Sequence, residues 1–186
     1  MRIIAGKHRG TALAELGKGD AAAHLRPTSD RVRESLFNML TGGRFGAPVA
    51  GARVLDLFAG TGALGLEALS RGADRVCFVE NGRTSFKLIT KNVAKLRAAE
   101  DASVLTQDAT RLGENPYAPF DLVFLDPPYG QSMGEKALTC ARAGGWIAPE
   151  ALVVWEEAAP QLPPDGFTLL EHKAYGAAKI TLLRAD

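Results

Sequence analysis

Hydrophobic and polar residues fall into blocks along most of the chain, and the blocks alternate between two periodicities. Short apolar runs at residues 54–58, 76–79, 103–106, 122–125 and 151–155 have the length and the Val, Leu, Phe and Trp content of buried strands. Between them lie segments with apolar residues three and four apart. These are 63–71, closed by Gly72; 84–98, with Phe86, Ile89, Val93 and Leu96 on one face; and 133–143. Strands that alternate with helices predict an α/β fold, a mostly parallel sheet with helices on both faces. Two further β-like runs, 167–171 and 179–183, are joined through Tyr175-Gly176 and read as a hairpin that adds an antiparallel strand at the sheet edge. Ligands of such sheets bind at the carboxyl ends of the strands, near the switch in strand order.

The first 44 residues follow a different pattern. Two short extended runs separated by Lys7-His8-Arg9-Gly10 predict a small hairpin over 2–16, followed by a Gly/Ala-rich stretch at 17–23. A helix over 29–41 follows, capped by Thr28 or Ser29, with Asp30 in its first turn and Gly42-Gly43 at its end. Val32, Leu36, Met39 and Leu40 form its apolar stripe, and Arg31 and Arg33 are expected to point away from it. The net charge of +1 conceals an asymmetry. Residues 1–44 carry eight Lys/Arg against four Asp/Glu, a surplus of four, which leaves the remainder three negative. A basic front on a mildly acidic body predicts contact with a polyanion.

At 186 residues, with 46% hydrophobic and 23% charged content, the chain reads as one globular domain. No apolar run approaches bilayer-spanning length and the N-terminus lacks a signal-peptide core, so a cytoplasmic location is expected. Cys77, Cys140 and the three histidines are scattered, and no metal site is expected.

Two stretches carry the chemistry. Asp56-Leu57-Phe58-Ala59-Gly60-Thr61-Gly62-Ala63-Leu64-Gly65 has the G-x-G-x-x-G spacing after a strand and at the start of a helix, and Glu80 ends the next strand. Both features fit a dinucleotide as well as S-adenosylmethionine. Asp56 favours the second, because a carboxylate beside the loop repels a pyrophosphate and attracts an amino group and a sulfonium. Asp108 ends the third strand, where it can accept from an adenine amino group. The other stretch is Asp126-Pro127-Pro128-Tyr129, at the end of the fourth strand run. Its prolines hold the backbone extended and donate no hydrogen bond, leaving a carboxylate, a free carbonyl at Pro127 and an aromatic face. That edge suits a planar group with an amino N–H; read alone, it is equally a strand-ending turn.

The glycine loop with Asp56, Glu80 and Asp108 resembles the Rossmann-like class I S-adenosylmethionine-dependent methyltransferase fold. Residues 126–129 resemble the (Asn/Asp/Ser)-Pro-Pro-(Tyr/Phe) motif of enzymes that methylate exocyclic or amide nitrogens. Arg2-Ile3-Ile4-Ala5-Gly6-Lys7-His8-Arg9-Gly10 and Leu25-Arg26-Pro27-Thr28-Ser29-Asp30-Arg31-Val32-Arg33-Glu34-Ser35-Leu36-Phe37-Asn38 are similar to the bacterial 16S rRNA guanine-N2 methyltransferases of the RsmD family. The resemblance covers nearly the whole chain. Thr61 stands where Ser is common, and residues 172–183 follow the family pattern only loosely.

The resemblance implies one methyltransferase domain over 1–186, with 1–44 as a basic RNA-binding extension; the oligomeric state is left open by the sequence, with a monomer as the default expectation. It implies methyl transfer from S-adenosylmethionine, leaving S-adenosylhomocysteine, to N2 of one guanine of 16S rRNA, the guanine at position 966. The partner is that rRNA within the small ribosomal subunit or its assembly intermediate, with ribosomal proteins as candidate further contacts. Asp126, Pro127 and Tyr129 take the catalytic roles. Asp56, Phe58, Ala59, Gly60, Gly62, Glu80, Asn81, Asp108 and Ala109 are expected to hold the cofactor. Lys7, Arg9, Arg26, Thr28, Arg31, Arg33 and Pro128 are expected to contact RNA. The rivals are an N6-adenine or protein-glutamine methyltransferase with the same edge, a nicotinamide-dependent oxidoreductase, and an RNA-binding assembly factor with a relic pocket.

Overall fold

A computed structural model of the chain describes residues 1–15 and 29–186. Four of the apolar runs lie inside a sheet, and their lack of alternation is explained by burial on both sides, whereas the run at 103–106 forms a half-buried edge strand. Strands β1 (Arg53–Leu57), β2 (Arg75–Val79), β3 (Ala102–Leu105), β4 (Phe120–Leu125), β5 (Ile147–Glu157), β6 (Phe167–Tyr175) and β7 (Ala178–Ala185) make one seven-stranded sheet in the order β3-β2-β1-β4-β5-β7-β6. The first five are parallel, and β7 is antiparallel to both its neighbours. Chain order reverses between β1 and β4, so the switch point lies between the glycine loop and residues 126–129.

The last hairpin contributes two strands: β7 lies inside the sheet and β6 forms the edge. Strand β5 also begins earlier than its apolar run, because Ala148-Pro149-Glu150 reads as a turn and Glu150 does take a left-handed φ of 62°. Helices α1 (Asp30–Thr41), α2 (Ala63–Ser70) and α3 (Arg83–Lys95) cover one face through Leu36, Phe37, Leu66 and Ile89. Helix α4 (Met133–Ala143) and the 3-10 turn Ala109–Arg111 cover the other. No helix among the described residues is long and apolar enough to cross a membrane.

Ser29 caps α1, accepting from the Val32 N–H at 3.2 Å. The buried stripe of α1 is Arg33, Leu36, Phe37 and Leu40, whereas Val32 and Met39 are only half-buried. The expectation that Arg33 points away from the core, free to meet phosphate, is therefore overturned: Arg33 is fully buried. Its guanidinium donates to Asp30 Oδ1 at 2.8 Å and to the Arg2 carbonyl, and lies 3.8 Å from Glu67.

The beginning of the chain is built onto the sheet-covering helices. Arg2 and Ala12 form an isolated antiparallel bridge, and the Ile3 N–H donates to the Thr11 carbonyl at 3.0 Å. Glu67, fully buried in the otherwise apolar α2, accepts from the Ile4 and Ala5 N–H groups at 2.7 and 3.0 Å and from Arg71 at 2.7 Å. Ser70 accepts from the His8 N–H and donates to the Ala5 carbonyl. Gly6 passes so close that a Cβ there would lie 1.7 Å from the Ser70 carbonyl oxygen. Asn92 of α3 completes the attachment. Its amide accepts from the Ala14 N–H at 2.6 Å and donates to the Ala14 and Thr61 carbonyls at 3.2 and 3.0 Å, joining the N-terminal segment to the glycine loop.

Candidate active site

The parallel strands end in register. Leu57 pairs with Val79 and with Leu125, Val79 with Leu105, and Leu125 with Trp155. The next residues along β2, β1, β4 and β5 are Glu80, Phe58, Asp126 and Glu156, which form a row across the carboxyl end of the sheet. Expected cofactor and substrate residues thus meet at the switch point.

Phe58 turns the chain out of β1 with φ 59°, a conformation rare outside glycine that is held here by the Ala59 N–H donating to the Val79 carbonyl at 3.2 Å. Gly60 and Gly62 continue the turn at φ 58° and 77°. Gly65 answers a packing demand, since a Cβ there would meet Phe78 at 2.4 Å and Val76 at 2.7 Å, and α2 could not sit this close to β2.

Asp56, expected beside the cofactor, is enclosed by protein. It is 2% exposed, and its Oδ2 accepts from the Gly65 N–H at 2.9 Å. Burial pushes its carboxyl up to about 8, against the lowering effect of the Gly65 hydrogen bond, with the Glu80 charge pushing the same way as burial. At neutral pH the group is largely protonated, and it pins the start of α2 through Gly65. The folded state therefore binds this proton more tightly than the unfolded chain. The stabilisation is complete below about pH 4 and is lost as pH rises through about 8. Urea unfolding should show wild type losing on the order of a few kcal/mol relative to Asp56→Asn across that window. Parallel pH profiles for the two proteins would refute this.

Glu80 closes the loop from the next strand: Oε2 accepts from the Gly60 N–H at 2.9 Å and Oε1 from the Gly82 N–H at 2.7 Å. Each oxygen keeps a second lone pair for a ribose hydroxyl. Asn81 is exposed beside it. Asp108 caps the turn that begins with the buried Ala109, accepting from the Thr110 hydroxyl at 2.7 Å and the Thr110 N–H at 2.9 Å. The Thr110 hydroxyl, then its N–H, hold the Asp108 carboxyl below the usual range, so it is ionised and able to accept.

On the substrate side the Asp126 N–H donates to the Leu57 carbonyl at 3.4 Å, fixing the 126–129 edge against the end of β1. Pro127 is buried, and Pro128 and Tyr129 are exposed. The Tyr129 hydroxyl donates to Glu156 at 2.9 Å and the Gly130 N–H to Glu157 at 2.7 Å. Burial first, then the charges of Glu156 and Asp126, raise the Tyr129 phenol above its ordinary range.

The expected RNA contacts are not gathered in one place. Lys7 and Arg9 are exposed, but the Lys7 N–H binds the carbonyl of Ser70, the last residue of α2. An eight-residue helix rises about 12 Å, so this turn stands that far from the glycine loop. Arg31 is exposed and lines an open cleft of about 420 Å³ with Val32, Ser35, Tyr175 and Gly176. The pairing of Lys179 with Glu157 puts that hairpin tip at the carboxyl end of the sheet. Arg26 and Thr28 lie outside the described residues.

Glu67, Asn92, Glu156 and Glu157 were missed in the sequence. A lone acid in a largely apolar helix, an amide three residues after Ile89 on the buried stripe of α3, and a fifth strand run ending in two acids were the available signals. Among the described residues no group of His, Cys, Asp and Glu is placed to hold a metal ion.

A parallel sheet that reverses between β1 and β4, with an antiparallel seventh strand beside β5 and a glycine loop after β1, defines a class I methyltransferase fold. The family model described as "Conserved hypothetical protein 95" matches residues 1–184, and the chain belongs to this family, the RsmD family. A relative from Haemophilus influenzae named "Ribosomal RNA small subunit methyltransferase D" is 37% identical over 187 residues, covering 98% of this chain and 92% of its own. One of the same name from Escherichia coli K12 is 38% identical, covering 100% and 90%. The solved structure titled "Putative methyltransferase yhhF from Escherichia coli" superposes with a TM-score of 0.81 at 36% identity, covering 100% of this chain and 98% of that one.

Proposed function

We propose that this chain transfers a methyl group from S-adenosylmethionine to the exocyclic N2 of one guanine in the 16S rRNA of the small ribosomal subunit. The observation that carries the reading is the row of strand ends in which Asp126, on a proline-stiffened edge, sits one strand from the glycine loop and two from Glu80. The names of the full-length relatives point to rRNA as the substrate. The position-966 assignment extends the family resemblance, and a ribosomal substrate places the work in the cytoplasm.

The residues present fit the cofactor. Glu80 retains acceptor capacity for the ribose, Asp108 is held ionised where an adenine amino group would donate, and the glycines leave room for close approach. S-adenosylmethionine would supply a methyl group already activated by its sulfonium. The chain's own work is to prepare the acceptor. Guanine N2 is a poor nucleophile because its lone pair is delocalised into the ring. The Asp126 carboxylate and the Pro127 carbonyl accept its two hydrogens, favour a pyramidal nitrogen, and aim the lone pair along the line of displacement. In that displacement the C–S bond of the donor would break with its electrons going to sulfur as the new C–N bond formed. The nitrogen, now cationic, gives up a proton to Asp126 or to water. Tyr129 offers its ring to a base turned out of the RNA.

Mass mapping of rRNA nucleosides from cells with and without the protein tests the proposal. Loss of a single N2-methylguanine at position 966 is the expected result; loss of an N6-methyladenine, or no change in rRNA, would overturn it. Arg9 and Arg31 give a second prediction. Reversing either charge should weaken RNA binding and reduce the slope of log affinity against log salt by about one. Arg31→Glu should also reduce turnover more, since Arg31 lies at the carboxyl end of the sheet. Unchanged slopes would remove these residues from the interface.

A further inference from the structure

Residues 126–129 are gripped from behind by a pair of acids that nothing above assigns to the reaction. Glu156 and Glu157 close β5, and because side chains alternate along a strand they leave it on opposite faces of the sheet. Each is only 7% exposed. Burying two adjacent carboxylates is costly, and apolar side chains would fill the same space more cheaply, so packing alone does not explain them. What they do is visible in their partners: Glu156 takes the Tyr129 hydroxyl and Glu157 takes the next backbone N–H, at Gly130. Pairing with Ile180 and Lys179 of β7 keeps both from shifting.

We propose that Glu156 is a positioning residue that fixes the Tyr129 ring by its hydroxyl, so that Tyr129 meets the target base with its face alone. This rests on the methyltransferase reading above and deepens it. Tyr129 is still 37% exposed although its hydroxyl is committed to Glu156, so part of the side chain remains open to a stacking partner. A phenol committed to a carboxylate is not available as a donor to guanine O6 or N7, so discrimination between bases is left to the Asp126 and Pro127 acceptors. A fixed ring also loses little freedom when a base stacks on it, and the benefit appears in substrate affinity.

The test combines steady-state methylation of small subunits with fluorine NMR of protein carrying 3-fluorotyrosine, the Tyr129 signal being identified by its absence in Tyr129→Phe. In Glu156→Gln the Tyr129 phenol should ionise at lower pH than in wild type, because a neighbouring negative charge is gone. Glu156→Ala and Tyr129→Phe should each raise KM for the RNA substrate about tenfold, with KM for S-adenosylmethionine changed less than about twofold. The double variant should be no worse than either single one, and Glu156→Gln, which keeps an acceptor oxygen, should recover most of the loss. Additive effects, an equal rise in both KM values, or an unmoved phenol titration would overturn the positioning role alone. A shifted titration in a wild-type protein that methylates no RNA would overturn the functional reading, and the positioning role with it.

Discussion

Asp126→Ala is expected to abolish methyl transfer, with a loss in kcat of at least about a hundredfold, while S-adenosylhomocysteine binds within about twofold of wild type. The asymmetry follows from the strand order. Asp126 ends β4, whereas the loop and the acids at Glu80 and Asp108 lie on or beyond β1. One Asp126 contact with β1, its backbone N–H to the Leu57 carbonyl, is left in place by the substitution. Asp126→Asn keeps a side-chain oxygen to accept one amino hydrogen and should retain measurable turnover. Calorimetry with S-adenosylhomocysteine beside single-turnover methylation checks both halves. Full turnover by Asp126→Ala would refute the mechanism, and lost cofactor binding would show that the edge and the pocket are not separate.

The largest expected effect on stability comes from Glu67→Ala. Its carboxylate gathers the Ile4 and Ala5 N–H groups and Arg71, with the fully buried Arg33 at 3.8 Å. Deleting it strands donors and cations inside the protein, a loss of about 3–5 kcal/mol. At this chain length that lowers Tm by on the order of 10 °C. The first residues should also come away from α2, so limited proteolysis near the N-terminus should speed up. Glu67→Gln keeps an acceptor oxygen and should lose less. A Glu67→Ala protein that melts with wild type would show that the N-terminal segment is held by other contacts.

Most of the sheet was legible because its central strands are buried on both faces and so appear as unbroken apolar runs, and because Gly60 and Gly62 mark a left-handed turn and Gly65 a close approach of helix to strand. Element ends were less legible. Strand β5 began behind Pro149 and Glu150, residues that ordinarily mark turns, and the place of β7 inside the sheet depends on long-range pairing with β5 that local pattern does not encode. Charged residues were the main source of error. Arg33 was assigned to solvent because arginine usually is, yet Asp30 and Glu67, the latter distant in sequence, make its burial possible. Asp56 likewise is surrounded on all sides and bound to Gly65. Composition gives no warning of either environment.

The clasp at Asn92 also bears on the birth of the protein. Residues 1–15 leave the ribosome ahead of the groups that hold them, since Thr61, Glu67, Ser70 and Asn92 are made some 60 to 80 residues later. At about 5–20 residues per second the leading segment therefore waits several seconds with no place to dock. It settles only once α2 and α3, the helices that follow the glycine loop and Glu80, have emerged. A nascent chain thus cannot display its docked basic turn before α2 and α3 exist.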